Sequence, residues 1–225
     1  MNGGGKPLHF IVSGCLWRNS LIMQDLETGS LWSHITGKAL LGKLAGARLK
    51  QLPAEQTTWK DWQNRHPNTR LLKKEKEIKS SRYEAYFADP NKTGIFRAQW
   101  LNRQLPAKKI IFGLRSGPFA LAVTPEWIRK RKMARHQLGE EELLLLAVGE
   151  QLTAFLIPEE LRAVWWDLHS LTGGWFLDES GGQWQVGDGA CISGPNKGKR
   201  LFRLPVTGAY WFAWNAFYPN TGLLK

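Results

Sequence analysis

Cysteine is nearly missing from this chain. Cys15 and Cys191 are the only two among 225 residues, so there is no disulfide framework and no CxxC pair, although one bridge stays open. Acidic residues are also scarce, 19 Asp and Glu against 31 Lys and Arg, a formal charge of +12. That balance invites an anionic partner. No apolar run approaches the ~18 residues that a membrane-spanning helix needs, and Leu143–Val148 is long enough only for a buried strand. The opening Met1-Asn2-Gly3-Gly4-Gly5-Lys6 has no apolar stretch behind its lysine and does not read as a secretory signal. The five histidines, His9, His34, His66, His136 and His169, form no HExxH and no zinc spacing with cysteine. A GxSxG elbow, a phosphate loop and a dinucleotide fingerprint are absent as well.

What the chain does have is tryptophan, 12 residues of it, within a composition that is 43% hydrophobic. Rings of that size call for burial, so a packed interior follows. The chain also repeats itself. Shifted by 152 positions, residues 27–72 fall on 179–224 without a gap. The matches include Gly29/Gly181, Trp32/Trp184, Gly37/Gly189, Gly42/Gly194, Gly46/Gly198, Arg48/Arg200, Trp59/Trp211, Trp62/Trp214 and Pro67/Pro219. Glycines, tryptophans and prolines do not align in register by chance.

Each copy reads as short strands separated by glycine turns, then a short helix carrying a Trp pair, a Pro-Asn-Thr turn and a last strand. Ser30–Trp32 and Arg48–Leu52 are expected strands. The fold class is α+β, predominantly β: two internally repeated lobes with short strands, hairpins and short Trp-bearing helices. Residues 1–72 form the first copy, 73–107 a connector, and 108–225 two hairpins plus the second copy, all in one compact unit. The connector aromatics Tyr83, Tyr86, Phe87 and Phe96 are expected to pack down. The hairpins turn at Ser116-Gly117-Pro118 and at Gly149-Glu150-Gln151, and Pro125-Glu126 and Pro158-Glu159 open helical turns. Arg129–Gln137 reads as an exposed helix, and Glu140–Glu142 as the acidic start of another. In the repeated helices, Phe212 and Phe217 should lie deeper than Lys60 and Arg65.

These motifs resemble a known family. Asp25-Leu26-Glu27-Thr28-Gly29-Ser30-Leu31-Trp32, Thr36-Gly37-Lys38-Ala39, Gly42-Lys43-Leu44-Ala45-Gly46 and Thr57-Thr58-Trp59 look like the hallmark of domain-of-unknown-function family 3179. His66-Pro67-Asn68-Thr69, Arg82–Phe87, Leu105–Lys108 and Tyr210–Trp214 with Tyr218–Thr221 fit the same pattern. The resemblance carries no assigned reaction. It implies relatives that are often exported by bacteria and archaea, many with an upstream CPxC segment able to hold a metal or a redox thiol pair. That segment and an export signal are not found in this sequence, and the compartment stays open.

Function is expected at a groove between the copies, where polar residues of the first copy break the symmetry. The candidates for binding a small ligand are Asp25, Thr28, Trp32 and Arg48. Cys15, His34 and His66 are candidate ligands for a soft transition metal such as Cu(I) or Zn. Against Asp25, His34 and His66 the ungapped shift sets Leu177, Val186 and Tyr218. The leading expectation is a non-enzymatic binding or accessory protein with a metal-handling role. One alternative is a hydrolytic or redox enzyme using Asp25, His34, His66 and Cys15. Another is nucleic-acid or anionic-surface binding through the basic excess around Arg129–Arg135. Charge runs of this sort are usually solvated faces, which weighs against nucleic acid.

Overall fold

The computed structural model describes residues 7–54, 57–72, 83–90, 92–94, 102–167, 170–171 and 174–225, apart from the Asp61 side chain. The basic run 73–79, Phe96 and His169 lie outside these. The described residues are β-rich, 40% strand and 14% helix. Its contacts divide it into two units: residues 1–51, 86–109 and 210–219, and residues 52–85, 110–209 and 220–225.

The first unit is built on an antiparallel meander of β1 (Phe10–Trp17), β2 (Ser20–Asp25), β3 (Leu31–Ser33) and β4 (Ala39–Leu41), in that spatial order. β1 lies at the edge and bulges between Val12 and Leu16. There Gly14 takes φ +79° and the Ser13 hydroxyl donates to the Ile22 carbonyl at 2.6 Å. Arg18 and Asn19 turn the β1–β2 hairpin with φ of 52° and 60°, values costly for side chains other than glycine or asparagine. The Arg18 guanidinium donates to the Ala216 carbonyl and lies over the rings of Trp17 and Phe217, which themselves meet edge to face at 5.0 Å. Those contacts hold the turn.

Two helices come next in the chain, α1 (Trp59–Arg65) and α2 (Glu84–Ala88). The second unit then stacks three sheets. One is β14 (Thr207–Tyr210), β5 (Ile110–Ser116), β6 (Phe119–Val123) and β15 (Gly222–Leu224), with β15 parallel to β6. The central sheet is β13 (Phe202–Leu204), β9 (Gln151–Ile157), β8 (Glu141–Val148) and β7 (Met133–Leu138). The third is a meander of β10 (Trp175–Leu177), β11 (Gln183–Gln185) and β12 (Cys191–Ser193). Leu143 to Leu146 explain the stacking. Successive strand residues point to opposite faces, so Leu143 and Leu145 pack with Phe112, Leu121 and Val123 while Leu144 and Leu146 pack with Phe176, Trp184 and Leu201. All four are at most 1% exposed. The central sheet is buried on both sides.

Both hairpins turn where the glycines place them, at Gly117-Pro118 and Gly149-Glu150. Pro125 opens α3 (Pro125–Arg131), capped by the Thr124 hydroxyl, which accepts from the Trp127 N–H at 3.3 Å. Pro158 precedes a 3₁₀ turn over Glu159–Leu161. The helix expected over Arg129–Gln137 is a correction: it stops at Arg131, Lys132 turns with φ 60°, and Met133–Leu138 pairs with β8 residue by residue. Glu140–Glu142 likewise lead into β8 rather than a helix. Arg48–Leu52 forms no strand either. It makes one bridge, Lys38 to Arg48, whereas the corresponding Phe202–Leu204 has β9 to pair with. Tyr83 and Phe87 are exposed, at 53% and 62%, not packed down.

The last helix, α4 (Trp211–Phe217), falls within the first unit, whereas α1 falls within the second. Trp211, Trp214 and Phe212 are buried and Phe217 is half-buried; Trp59, Lys60 and Arg65 are exposed. The apolar α4 therefore serves as core and the polar α1 as surface, as their sequences require.

Candidate functional site

Asp25, Thr28 and Trp32 meet in one place. Asp25 ends β2 with its carboxylate fully buried. Its Oδ1 accepts from the Thr28 N–H at 2.6 Å and the Thr28 hydroxyl at 2.7 Å, and its Oδ2 accepts from the Trp32 indole N–H at 2.8 Å. Thr28 in turn shares a 2.6 Å hydrogen bond with Ser30, whose hydroxyl accepts from the Leu44 N–H. Burial pushes the Asp25 carboxyl up, but the hydrogen bonds from Trp32 and Thr28 outweigh it and hold the group below the usual aspartate range. A carboxylate bonded this way is a clasp closing the β2–β3 turn onto the indole.

The same clasp occurs in the second unit. Asp178 Oδ1 accepts from the Ser180 N–H and hydroxyl and from the Gly182 N–H; its Oδ2 accepts from the Trp184 indole at 2.9 Å and from Asn196 at 2.9 Å. Burial raises this carboxyl too, and Asn196, Ser180 and Trp184 bring it below the ordinary value. Around both clasps the backbone runs in parallel fashion. Phe10 bridges Asp25 and lies edge-on to Trp32 at 5.7 Å; Trp166 bridges Asp178 and lies edge-on to Trp184 at 6.0 Å. The Leu49 N–H donates to the Gly37 carbonyl at 2.8 Å, and Leu201 to Gly189 at 2.9 Å. Gly42 and Gly194 both have positive φ, and a Cβ on either would sit 2.7 Å from backbone, at Ser30 and Gly182 respectively. Glycine is compulsory at both.

Asp25 is therefore matched by Asp178, not by Leu177. The turn after Asp178 is one residue shorter, which the ungapped shift of 152 could not show. Ser30, Ser180, Asn196 and Asp178 were not among the residues singled out from sequence. The signal for them was Asp-x-Ser-Gly at 178–181 beside Asp-x-x-Thr-Gly at 25–29, readable only if one gap is allowed.

The remaining candidates do not join this clasp. Arg48 is exposed and opposes Lys38 across a bridge, while its match Arg200 pairs with Asp188 at 3.2 Å. Cys15 is exposed in the β1 bulge. His34 is exposed just past β3, with Nδ1 2.7 Å from the Leu21 carbonyl. A carbonyl only accepts, so Nδ1 carries a proton, and in the neutral ring the lone pair falls on Nε2. His66 belongs to the second unit and lies over the Trp62 ring at 4.1 Å. Among the described residues no three His, Cys, Asp or Glu side chains gather as a metal-binding group. A depression bordered by Trp127, Arg131 and Leu152 has no room for a water molecule. No helix of the described residues is long and apolar enough to cross a membrane.

The family model described as "Protein of unknown function (DUF3179)" matches residues 2–221. The chain belongs to this family. No curated protein and no solved structure matches it. Membership brings no reaction with it, so the chemistry of this DUF3179 member rests on its own side chains. Two arginines of the basic stretch, one in α3 and one in β7, are engaged. Arg129 pairs with Glu126 and Glu150, and Arg135 binds Glu142 at 2.7 Å and the carbonyls of Val164 and Arg162. Arg135 also lies over the rings of Trp165 and Trp166. Of the helix expected over Arg129–Arg135, Arg129–Arg131 stay exposed at the end of α3, whereas Arg135 is half-buried on β7.

Proposed function

We propose that this chain is a non-enzymatic binding or accessory protein whose two meanders are copies of one scaffold. The observation that carries the reading is the matched pair of Asp–Trp clasps. A carboxylate that does the same buried task twice, with both oxygens occupied, serves the fold and not a reaction. The test compares Asp25→Ala with Asp178→Ala. Both should lower the melting temperature, because each leaves an indole N–H and a hydroxyl without their acceptor. Groups kept for catalysis commonly cost stability, so an Asp25→Ala variant as stable as the parent, or more so, would overturn the structural role.

Within this reading, the polar groups left for a ligand lie on the surface of the first meander. A metal-handling role draws on Cys15 and His34. Leu16, next to Cys15, is the ladder partner of Leu21, and the Leu21 carbonyl orients the His34 ring. A backbone carbonyl fixing one imidazole nitrogen while the other stays free is how many metal-ligating histidines are held, and thiolate with imidazole suits Cu(I) or Zn. Titration of untagged protein with Cu(I) and with Zn(II) should then give about one equivalent bound, reduced in Cys15→Ser and His34→Gln. Binding unchanged in both variants, or under about a tenth of an equivalent, removes the metal role.

A further inference from the structure

We infer that the outer face of the first meander, around His34 and Leu49, is a docking surface for an acidic, apolar β-strand of a partner polypeptide. This rests on the reading that the two meanders share one scaffold, because the second meander shows what the first one's face accepts. In the second, Phe176, Val186 and Leu201 are 0%, 7% and 0% exposed, sealed by Leu144, Leu146, Phe155 and Ile157 of the central sheet. The segment that follows adds as a strand to β9, with Phe202 opposite Leu156 and Arg203 opposite Phe155.

The first meander has the same turns and cross-strand bonds, but its matching positions open outward. Leu49 is 39% exposed, His34 is exposed and Met23 is half-buried. The segment after Arg48 has formed no strand. Charge then narrows the partner. Lys38, Arg48 and Lys50 stand where the second copy has Ala190, an Arg200 neutralised by Asp188, and Phe202. None of the three makes an ion pair among the described residues. Lys38 and Arg48 oppose each other across their bridge and Lys50 lies two residues on, so the cations share the side opposite Leu49. A strand pairing edge to edge with this segment would set apolar side chains beside Leu49 and carboxylates beside the cations. The hairpin covering the second copy combines apolar strands with acidic ends: residues 140–157 hold four glutamates, at 140–142 and 150, and no Lys or Arg.

The probe is that hairpin. A second copy of Glu140–Ile157 is joined ahead of the full chain through a flexible Gly/Ser linker of about 40 residues, which supplies an effective concentration near millimolar. Amide hydrogen exchange of the stretch 48–51 should slow by roughly tenfold or more. The slowing should vanish in Leu49→Asp and weaken, with a lost salt dependence, in Lys38→Glu/Lys50→Glu. Exchange at 48–51 unchanged by the tethered hairpin, or slowed equally in Leu49→Asp, overturns the proposal. So does protection there by phosphatidylserine vesicles in place of the hairpin, since a lipid surface would then be the partner. The stability test on Asp25 and Asp178 is read on the untethered chain, so either reading can fail without the other.

Discussion

At the residue scale the two buried aspartates decide most. Each sits under a tryptophan and below its normal pKa, which ties stability to acid. A carboxylate whose folded pKa is depressed contributes its full share above the unfolded value of about 3.9 and loses it as pH falls towards the folded value. Urea unfolding should therefore show a midpoint that drops below about pH 4, and the Asp25→Asn/Asp178→Asn pair should flatten that limb. A limb of equal slope in the double variant would place the acid sensitivity elsewhere. Asp178→Ala alone should cost about 2–4 kcal/mol, since it strands the Trp184 N–H and the Asn196 amide in the interior. The sequence made Asp25, Thr28 and Trp32 conspicuous but not their purpose. A motif rich in Asp, Thr and Trp looks the same whether its polar atoms face a ligand or one another, and only the hydrogen bonds distinguish these.

At the element scale the glycine turns, the two hairpins and the α3 start could be read from sequence, because positive φ, proline and a capping threonine act over three or four residues. Thr124→Ala should lower stability by about 1 kcal/mol, measurable by denaturant midpoint. The matched glycines offer a sharper test. At Gly37 an added Cβ would lie 3.4 Å from the Leu49 carbonyl, whereas at Gly189 it would lie 2.6 Å from the Leu201 carbonyl and 2.9 Å from Phe155. Both have positive φ, so both alanine variants should lose roughly 1–2 kcal/mol. Gly189→Ala should lose clearly more, because backbone and a core ring must yield; equal losses would mean that the two turns are equally packed. Met133–Gln137, expected as helix, departs for the opposite reason. Its Met-Ala-Arg-His-Gln composition suits a helix, and pairing with β8 overrides that local preference.

At the scale of the whole molecule, burial is uneven. The central sheet carries Leu143 to Leu146 between two apolar clusters, whereas edge strand β1 leaves Ile11, Val12, Leu16 and Trp17 between 37% and 68% exposed. Hydrogen exchange should follow that difference, with the amides of Leu144 and Leu146 slowest and those of β1 opening at much lower free energy. Equal protection of β1 and β8 would contradict it. The exposed apolar edge is tempered by the Gly14 bulge, which interrupts the ladder another strand would need.

The sequence by itself determined the family, the β-rich class, the positions of the turns and the recurrence of the Trp and Gly pattern, since these follow from local backbone limits and from residue identity along the chain. Tertiary structure decided which polar residues are spent inside. It matched Asp25 with Asp178 across a turn of different length, drew Arg135 onto Glu142 and two carbonyls, and gave Phe202–Leu204 a partner strand, whereas Arg48–Leu52 has none among the described residues. Those outcomes depend on what packs against each segment from elsewhere in the chain, and a partner strand or carbonyl tens of residues away leaves no mark on the local sequence.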